Sequence, residues 1–293
     1  AFWRDMLDDP PPPVPLAADG PRPLSPDRHG GRIRLALPDA ARRAIEGLAR
    51  RNGVTLFAAT MGATLAYLHR LYDRDDLLLG VPAHGRRPEE ARIVTQAAQL
   101  MPVRSRITAV ETLDGFIRNC ADQLAEQAER QSEIELAALN ALVLERPGGA
   151  LNVTFNLDRI TLPGEIGGLA ATLRDTPANG AKFDLSLNLT VAGERWHLDL
   201  DHDADSFAPD GIRRLGERWI AWVMGLAEAA DLPVMDLPVL DAHDLALIAA
   251  SNATARDYPD TGLVPQLIAA RAEAMPDAPA LRFEGGTTSH AEL

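Results

Sequence analysis

The stretch that most constrains the fold is residues 150–157, an eight-residue segment rich in β-branched and aromatic side chains behind a Pro-Gly-Gly breaker. Alternation along a strand separates an apolar face from a polar one. The apolar face holds Leu151, Val153, Phe155 and Leu157, and the polar face holds Asn152, Thr154 and Asn156. Helical patterns precede this segment and strand patterns follow it. We therefore predict a central strand with a functional edge. The alternative is a half-exposed strand whose asparagines meet only water.

Hydrophobic periodicity along the rest of the chain predicts an α/β fold with a mixed sheet. Helices are expected at 39–52, 56–72, 112–131, 133–145 and 209–230, the second of them capped by Thr55. Strands are expected at 32–37, 77–82, 101–107, 169–173, 182–190 and 194–201, the last two forming a hairpin. The proline run at 9–15 excludes helix and predicts an extended spacer over a surface.

Composition excludes several classes of function. The formal net charge of −13 opposes general nucleic-acid binding. No apolar run reaches the ~18 to 20 residues that cross a bilayer, and the first residues lack a signal peptide, so a cytoplasmic protein is expected. A single Cys120 excludes an intrachain disulfide, and its place on an apolar helical stripe predicts core packing. The absence of an initiator Met suggests a piece of a longer chain.

Two groups of residues are candidates for chemistry. His69 and Asp73 have the H-x-x-x-D spacing of acyltransferases, but no second His precedes them, so solvation at a helix end is the preferred explanation. An acidic run is a candidate metal site, formed by Asp199, Asp201, His202, Asp203 and Asp205. Alternation turns Asp199 and Asp201 toward solvent, and no glycine-bearing calcium loop follows, so we expect no metal. No G-x-S-x-G, P-loop or dinucleotide motif is present.

The order of short motifs resembles that of non-ribosomal peptide synthetase condensation domains. Phe2-Trp-Arg-Asp-Met-Leu7 is similar to Y-W-R-E-L-L, and residues 80–86 are similar to G-x-P-V-A-G-R. Residues 94–104 align on I-G-x-F-V-N-T-L-P-L-R, where Arg104 matches, Ala97 replaces Phe and Gln99 replaces Asn. Residues 150–157 correspond to a Q-V-M-F-N-L strand beside the substrate tunnel, and residues 182–187 match K-x-D-L-x-L.

Further motifs extend the resemblance to the following domain. Residues 247–259 resemble the linker between modules, and 276–281 with 289–293 resemble the start of an adenylation domain. We therefore expect a C-terminal condensation lobe at 1–231, a linker at 232–257 and the beginning of an adenylation domain at 258–293. Only Gln131 survives from the H-Q-D-V-P-F-E motif. These departures resemble starter condensation domains, which take an acyl or aryl donor.

The resemblance implies a lobe like that of chloramphenicol acetyltransferase, with a mixed sheet covered by helices. It implies a tunnel that receives 4'-phosphopantetheine arms from upstream and downstream carrier domains, and no cofactor bound by this chain. The tunnel-lining residues would be Asn152, Asn156, Ser186 and Gln99, and Arg104 and Asp184 would be structural. The family's base belongs to an H-H-x-x-x-D-G motif in an N-terminal lobe, which is absent here, so the chain alone is expected to be inactive. The alternative is an inactive platform that docks a carrier protein or a tailoring enzyme.

Overall fold

The computed structural model describes residues 2–20, 28–84, 92–94, 98–133, 139, 151–160, 165–170, 179–257 and 263–293. The chain divides into two compact units, Ala1–Asp244 and Leu245–Leu293. The predicted helix at 133–145 lies almost wholly outside the described residues, as do positions 171–173 of one predicted strand and the departures at 95–97.

Ten strands are present among the described residues: β1 (Gly30–Ala36), β2 (Asp76–His84), β3 (Ala98–Arg106), β4 (Val153–Arg159), β5 (Glu165–Ile166), β6 (Leu169–Ala170), β7 (Leu185–Ala192), β8 (Arg195–Asp203), β9 (Pro279–Phe283) and β10 (Gly286–Ser289). Six of them form one sheet in the order β1-β8-β7-β4-β2-β3. The β2–β4 and β4–β7 pairs are parallel and the other neighbours are antiparallel. The predicted mixed sheet and its central strand are therefore confirmed.

The described helices are α1 (Phe2–Met6), α2 (Asp39–Asn52), α3 (Leu56–Tyr72), α4 (Leu113–Glu129), α5 (Pro209–Gly225), α6 (Ala242–Asn252) and α7 (Val264–Ala274). Thr55 caps α3 as predicted, because its side chain accepts a hydrogen bond from the backbone N–H of Ala58. Helix α2 ends where Gly53 adopts a left-handed conformation with φ of 65°.

Helices α3, α4 and α5 cover one face of the sheet, with α3 at the centre, and α2 packs on α3 and α5. Every residue of α3 from Ala58 to His69 is buried. The ring of Phe57 on α3 meets that of Phe155 on β4 edge-on, with centroids 5.6 Å apart. Helix α5 lies close to the sheet at Gly216, where a Cβ would come within 2.4 Å of Leu200. Cys120 is 2% exposed and belongs to this core, as predicted.

The segment after α5 is partly packed against the larger unit. The apolar side chains of the linker, Val234, Leu237, Val239 and Leu240, are expected to bury against the lobe, and Val234 and Leu237 do. Val239 is half-buried, and Leu240 contradicts the expectation because it is 44% exposed. In the smaller unit, α7 and the β9–β10 hairpin leave Leu267, Ile268 and Phe283 exposed. No helix in the described part of the chain is long and apolar enough to span a membrane.

Candidate functional site

The face of the sheet opposite the helices carries a continuous set of polar side chains, which we call the polar sheet face: Arg32, Arg34, Thr154, Asn156, Ser186, Asn188, Asp199 and Asp201. Strand pairing creates it, because Thr154, Ser186, Asp201 and Arg32 stand opposite one another in four neighbouring strands. Thr154 Oγ1 donates to Ser186 Oγ over 2.8 Å. The two hydroxyls therefore form one unit at the centre of the sheet.

The charges on this face are matched in pairs. Arg34 holds Asp199 through two bonds, Nε to Oδ1 at 2.6 Å and Nη2 to Oδ2 at 2.7 Å. Arg32 holds Asp201 in the same way, and Asn188 Nδ2 also donates to Asp201 over 3.0 Å. Bidentate pairs of this kind combine charge with fixed geometry.

The expectation that Asp199 points to solvent was wrong. Asp199 is 3% exposed, because the guanidinium of Arg34 on the neighbouring strand covers it. Asp201 is half-buried beneath Arg32 and Asn188. Both carboxylates of the polar sheet face are thus engaged by arginine. Hydroxyls, amides and fixed ion pairs suit this surface to orienting a substrate by hydrogen bonds, while an acid–base role needs a group from elsewhere.

The predicted tunnel residues do not all lie together. Asn156 and Ser186 share the polar sheet face, and Asn156 Nδ2 donates to Asp158 over 3.0 Å. Gln99, at the start of β3, alternates with Leu100 and therefore shares the orientation of Met101 and Val103, which are buried on the helix side. The structure brings Asn156 and Ser186 together and places Gln99 apart from them.

The strand pattern placed Asn152 on the polar face with Thr154 and Asn156, but in the structure its side chain bonds to the N-terminal segment. Its side-chain Oδ1 accepts from the backbone N–H of Val14 over 2.9 Å, and its Nδ2 donates to the Val14 carbonyl over 2.9 Å. Nδ2 also donates to Asp184 over 3.0 Å. With both amide atoms bonded and 7% exposure, Asn152 fastens the N-terminal segment to the sheet. Asp184 also pairs with Arg28, and is itself 2% exposed.

Arg104 secures the same N-terminal segment at another strand end. Its guanidinium donates to the backbone carbonyls of Met6, Asp8 and Asp9 over 2.8 to 2.9 Å. It also forms a bidentate pair with Asp76, whose carboxyl pKa lies below its usual value because the hydrogen bonds from Arg104 and Arg106 outweigh desolvation. All five guanidinium N–H groups are used. Residues 2–20 therefore form a strap that is fastened at the ends of several strands.

His69 is not the solvated helix-end residue that the sequence suggested. It is fully buried, with Nδ1 2.5 Å from the carbonyl oxygen of Arg74 and Nε2 3.0 Å from Ser105 Oγ. The chain turns sharply after α3, where Asp73 adopts a left-handed conformation, and this turn folds Arg74 back over the ring. Burial lowers the pKa of His69 from its ordinary value.

The acidic residues at and just after the end of β8 form hydrogen bonds within the protein. Asp203 accepts from the backbone of Asp205 and from the hydroxyl of Ser206, and Asp205 accepts from the backbone N–H of His29. Among the residues that the structure describes, no group of three or more His, Cys, Asp or Glu side chains is arranged to hold a metal ion.

Sequence reasoning singled out the two aspartates of the polar sheet face but missed the arginines that pair with them. The signal was present as the alternation Arg-x-Arg at 32–34 and Asp-x-Asp at 199–201. Two strands whose charges alternate with period two and opposite sign are candidates for direct pairing. Predicting this pairing requires knowing that β1 and β8, the first and last strands of this sheet in chain order, are neighbours. Arg32 and Asp201 are 169 residues apart in the sequence.

Comparison with known proteins gives a consistent result. The model of the family described as "Condensation domain" matches residues 1–248. Phosphinothricin tripeptide synthetase PhsB from Streptomyces viridochromogenes is 31% identical over 97% of this chain, which covers 25% of that protein. Surfactin synthase subunit 1 from Bacillus subtilis is 24% identical over the whole chain, which covers 8% of it. The chain therefore spans a quarter or less of these relatives.

Solved structures share the fold. A holo four-domain nonribosomal peptide synthetase bound to AMP and glycine matches 99% of this chain with a TM-score of 0.79 at 19% identity, and the match covers 24% of that chain. The first condensation domain of the calcium-dependent antibiotic synthetase, in complex with a substrate analogue, matches 82% of this chain and 53% of its own with a TM-score of 0.70 at 22% identity. From the sheet topology, the helical cover and the family match, we conclude that this chain belongs to the condensation domain family of non-ribosomal peptide synthetases.

Proposed function

We propose that residues 1–231 are the C-terminal lobe of an amide-forming condensation domain, followed by a linker at 232–257 and the start of an adenylation domain at 258–293. The amine of a carrier-bound aminoacyl acceptor attacks the thioester carbonyl of a carrier-bound donor, and the donor's pantetheine thiol leaves. The partners are the carrier domains, an adenylation domain and an N-terminal lobe, in the cytoplasm. The 4'-phosphopantetheine arms arrive on the carriers.

The observation that carries this proposal is the polar sheet face on the central strands of a condensation-family fold. Asn156 and the Thr154–Ser186 hydroxyl pair offer donors and acceptors at neighbouring positions of β4 and β7. Such groups orient an amine or stabilise the oxyanion of a tetrahedral intermediate. Gln99 faces the helix side of β3, so as a tunnel residue it would line a part of the wall away from Asn156 and Ser186. Both amide atoms of Asn152 bond to the backbone of Val14, so we propose that Asn152 holds the strap in place.

The general base comes from a second lobe. None of the seven histidines in this sequence has a histidine neighbour. His69 is enclosed in the core, away from the polar sheet face. The match to 53% of a solved condensation domain leaves about half of such a domain for a lobe that carries the H-H-x-x-x-D-G motif.

We further propose that the donor is a starter acyl or aryl group. The support is the departure from the family motifs at Thr95, Ala97 and Gln99 and at 130–136. Replacing phenylalanine by Ala97 removes a large ring and favours a wider pocket. A starter condensation domain, that of the rhizomide synthetase, is among the structural relatives, with a TM-score of 0.61 at 22% identity over 82% of this chain and 53% of its own.

The second candidate function is a docking platform without catalysis. One structural relative is an X-domain in complex with OxyB from teicoplanin biosynthesis, with a TM-score of 0.69 at 22% identity over 82% of this chain and 55% of its own. The replaced motif residues favour this alternative as well. The two candidates differ in whether the second lobe keeps its histidine pair.

The deciding experiment is a condensation assay between two carrier proteins, one loaded with an acyl donor and one with an aminoacyl acceptor. The product is detected by mass spectrometry of the acceptor arm. Residues 1–293 alone are expected to give no amide, and adding the H-H-x-x-x-D-G lobe is expected to restore it. Asn156→Ala in the restored protein is expected to lower the rate by about 10- to 100-fold.

Arg195→Ala, at an exposed position of β8, is the control and is expected to leave the rate unchanged. Amide formation by residues 1–293 alone would contradict the two-lobe proposal. A restored protein that binds carriers but forms no amide would favour the platform.

A further inference from the structure

Ser105, near the end of β3, lies in a chain of hydrogen bonds that the polar sheet face does not use. The carbonyl oxygen of Arg74 can only accept a hydrogen bond, so Nδ1 of His69 carries the proton in their 2.5 Å contact. Nε2 is then the acceptor, and the Ser105 hydroxyl donates to it over 3.0 Å. Burial keeps this imidazole neutral because it lowers the pKa of His69. A hydroxyl, an acceptor imidazole and a group that fixes its tautomer are the parts of an activated nucleophile.

The pair is held rigidly from two sides. His69 lies in the last turn of α3, and its ring meets that of Phe116 on α4 edge-on with centroids 5.6 Å apart. Ser105 is in a paired strand, opposite Leu77 of β2. Both residues belong to regular secondary structure, and the turn after α3 fixes the ring of His69 through the Arg74 carbonyl. This suits a site that must keep a fixed nucleophile–base distance.

A cavity of about 250 Å³ reaches Ser105 from the side of α4. Asn119, Cys120 and Gln123 line it, and it opens to the surface between α4 and β3. Within the described part of the chain, the buried Oε1 of Gln123 has no hydrogen-bond partner. Gln123 therefore brings to the lining of this cavity an amide oxygen without a partner among the described residues.

We propose that Ser105 is a nucleophile, with His69 as its base, that accepts the acyl group of small esters entering this cavity. Ser105 Oγ attacks the ester carbonyl carbon while its proton passes to His69 Nε2. The bond from carbon to the alcohol oxygen breaks, and the alcohol leaves with that proton. The products are acylated Ser105, a neutral imidazole and the free alcohol. This inference stands independently of the proposed condensation function.

Cys120 has a supporting role. It shares a hydrogen bond with Ser105, and burial raises the pKa of its thiol to about 12. The thiol therefore stays protonated and does not compete as the nucleophile.

The test uses the full chain and p-nitrophenyl acetate, followed by release of p-nitrophenol and by mass spectrometry of the protein and its peptides. We expect one acetyl group per chain, on the peptide that contains Ser105. Ser105→Ala is expected to lower the acylation rate by about 100-fold. The matched control is Ser206→Ala, which removes another buried hydroxyl, one that donates to the carboxylate of Asp203. It is expected to react like the parent.

Peptide mapping of the parent protein needs no variant and decides the matter even if Ser105→Ala fails to fold. An acetyl group on Cys120, on a lysine or on the N-terminus in place of Ser105 would overturn the proposal. So would a chain that takes up no acetyl group, or a folded Ser105→Ala variant that reacts at the parent's rate.

Discussion

Arg104 uses every N–H group of its guanidinium, and its shape matters as much as its charge. A lysine at this position keeps the charge but cannot serve three carbonyls and a carboxylate at once. We predict that Arg104→Lys lowers the free energy of unfolding by about 2 to 4 kcal/mol, measured by urea denaturation. Arg106→Lys is the matched control, because Arg106 reaches the same Asp76 from a side chain that is 67% exposed. It is expected to change stability by less than about 1 kcal/mol.

An effect of Arg106→Lys equal to that of Arg104→Lys would mean that the charge around Asp76, and not the fork of bonds to the strap, provides the stability.

His69 makes stability depend on pH in a defined window. In the unfolded chain its imidazole gains a proton as the pH falls through its ordinary value of 6.5, while burial keeps the folded imidazole neutral to a lower pH. The stabilisation is therefore complete above about pH 6.5 and is lost as the pH falls toward the lowered pKa. We predict a loss of up to about 1.4 kcal/mol per pH unit there, measured by urea denaturation at a series of pH values.

His69→Gln has no proton to gain and is expected to flatten this slope, whereas His243→Gln, at an exposed position of α6, is expected to leave it as in the parent. A parent slope that survives in His69→Gln would assign the pH dependence to other groups.

Single-residue roles followed from the sequence only where local pattern decides them. Thr55 and Cys120 were predicted correctly because a cap and an apolar stripe depend on near neighbours. Asn152 and His69 were not, because their partners Val14 and Ser105 lie 138 and 36 residues away. The identity of a buried polar residue predicts that it has a partner, but not which one.

At the scale of elements, the strap is held to the sheet by one side-chain amide that imitates a strand partner. Asn152 offers Val14 one acceptor and one donor, as a backbone neighbour in a sheet does. Removing it leaves a buried N–H, a carbonyl and part of Asp184 without partners. We predict that Asn152→Ala lowers the free energy of unfolding by about 2 to 4 kcal/mol and speeds hydrogen exchange at residues 9–20.

The control for the strap is Asn188→Ala, which removes one amide hydrogen bond to Asp201 on a different part of the sheet. It is expected to cost about 1 kcal/mol and to leave exchange in the strap unchanged. If hydrogen exchange at residues 9–20 is unchanged in Asn152→Ala, then Arg104 and the proline run hold the strap without the help of Asn152.

Element positions were largely predictable, and the exceptions have physical causes. The helix at 39–52 agrees at both ends, because its start follows Pro38 and a glycine ends it. Strand β4 begins at Val153, later than predicted, because Asn152 is diverted to the strap. The predicted helix at 209–230 ends at Gly225, where one turn of 3₁₀ helix follows. Hydrophobic periodicity gives no information about the tertiary contacts that change where an element begins or ends.

At the scale of the whole molecule, the polar sheet face is a broad surface on the side opposite the helices. If the second lobe that we propose binds to this face, the isolated chain exposes an interface of ~600 to 1,500 Å². We predict that residues 1–293 alone self-associate or melt at modest temperature, and that supplying the second lobe gives a single species with a higher melting temperature. Sedimentation and thermal melting measure both. A monodisperse chain with a melting temperature unmoved by the added lobe would contradict the two-lobe proposal.

The strap also has a consequence for how the chain is made. Its residues leave the ribosome before their partners, which are 95 residues later for Asp9, 138 for Val14 and 189 for Asp19. Val14 and Leu16, which end up buried, therefore have no docking site until most of the larger unit has been synthesised. During translation the strap is therefore an apolar segment whose sheet has not yet formed. Its proline run keeps the strap extended and prevents non-native helix until the sheet is complete.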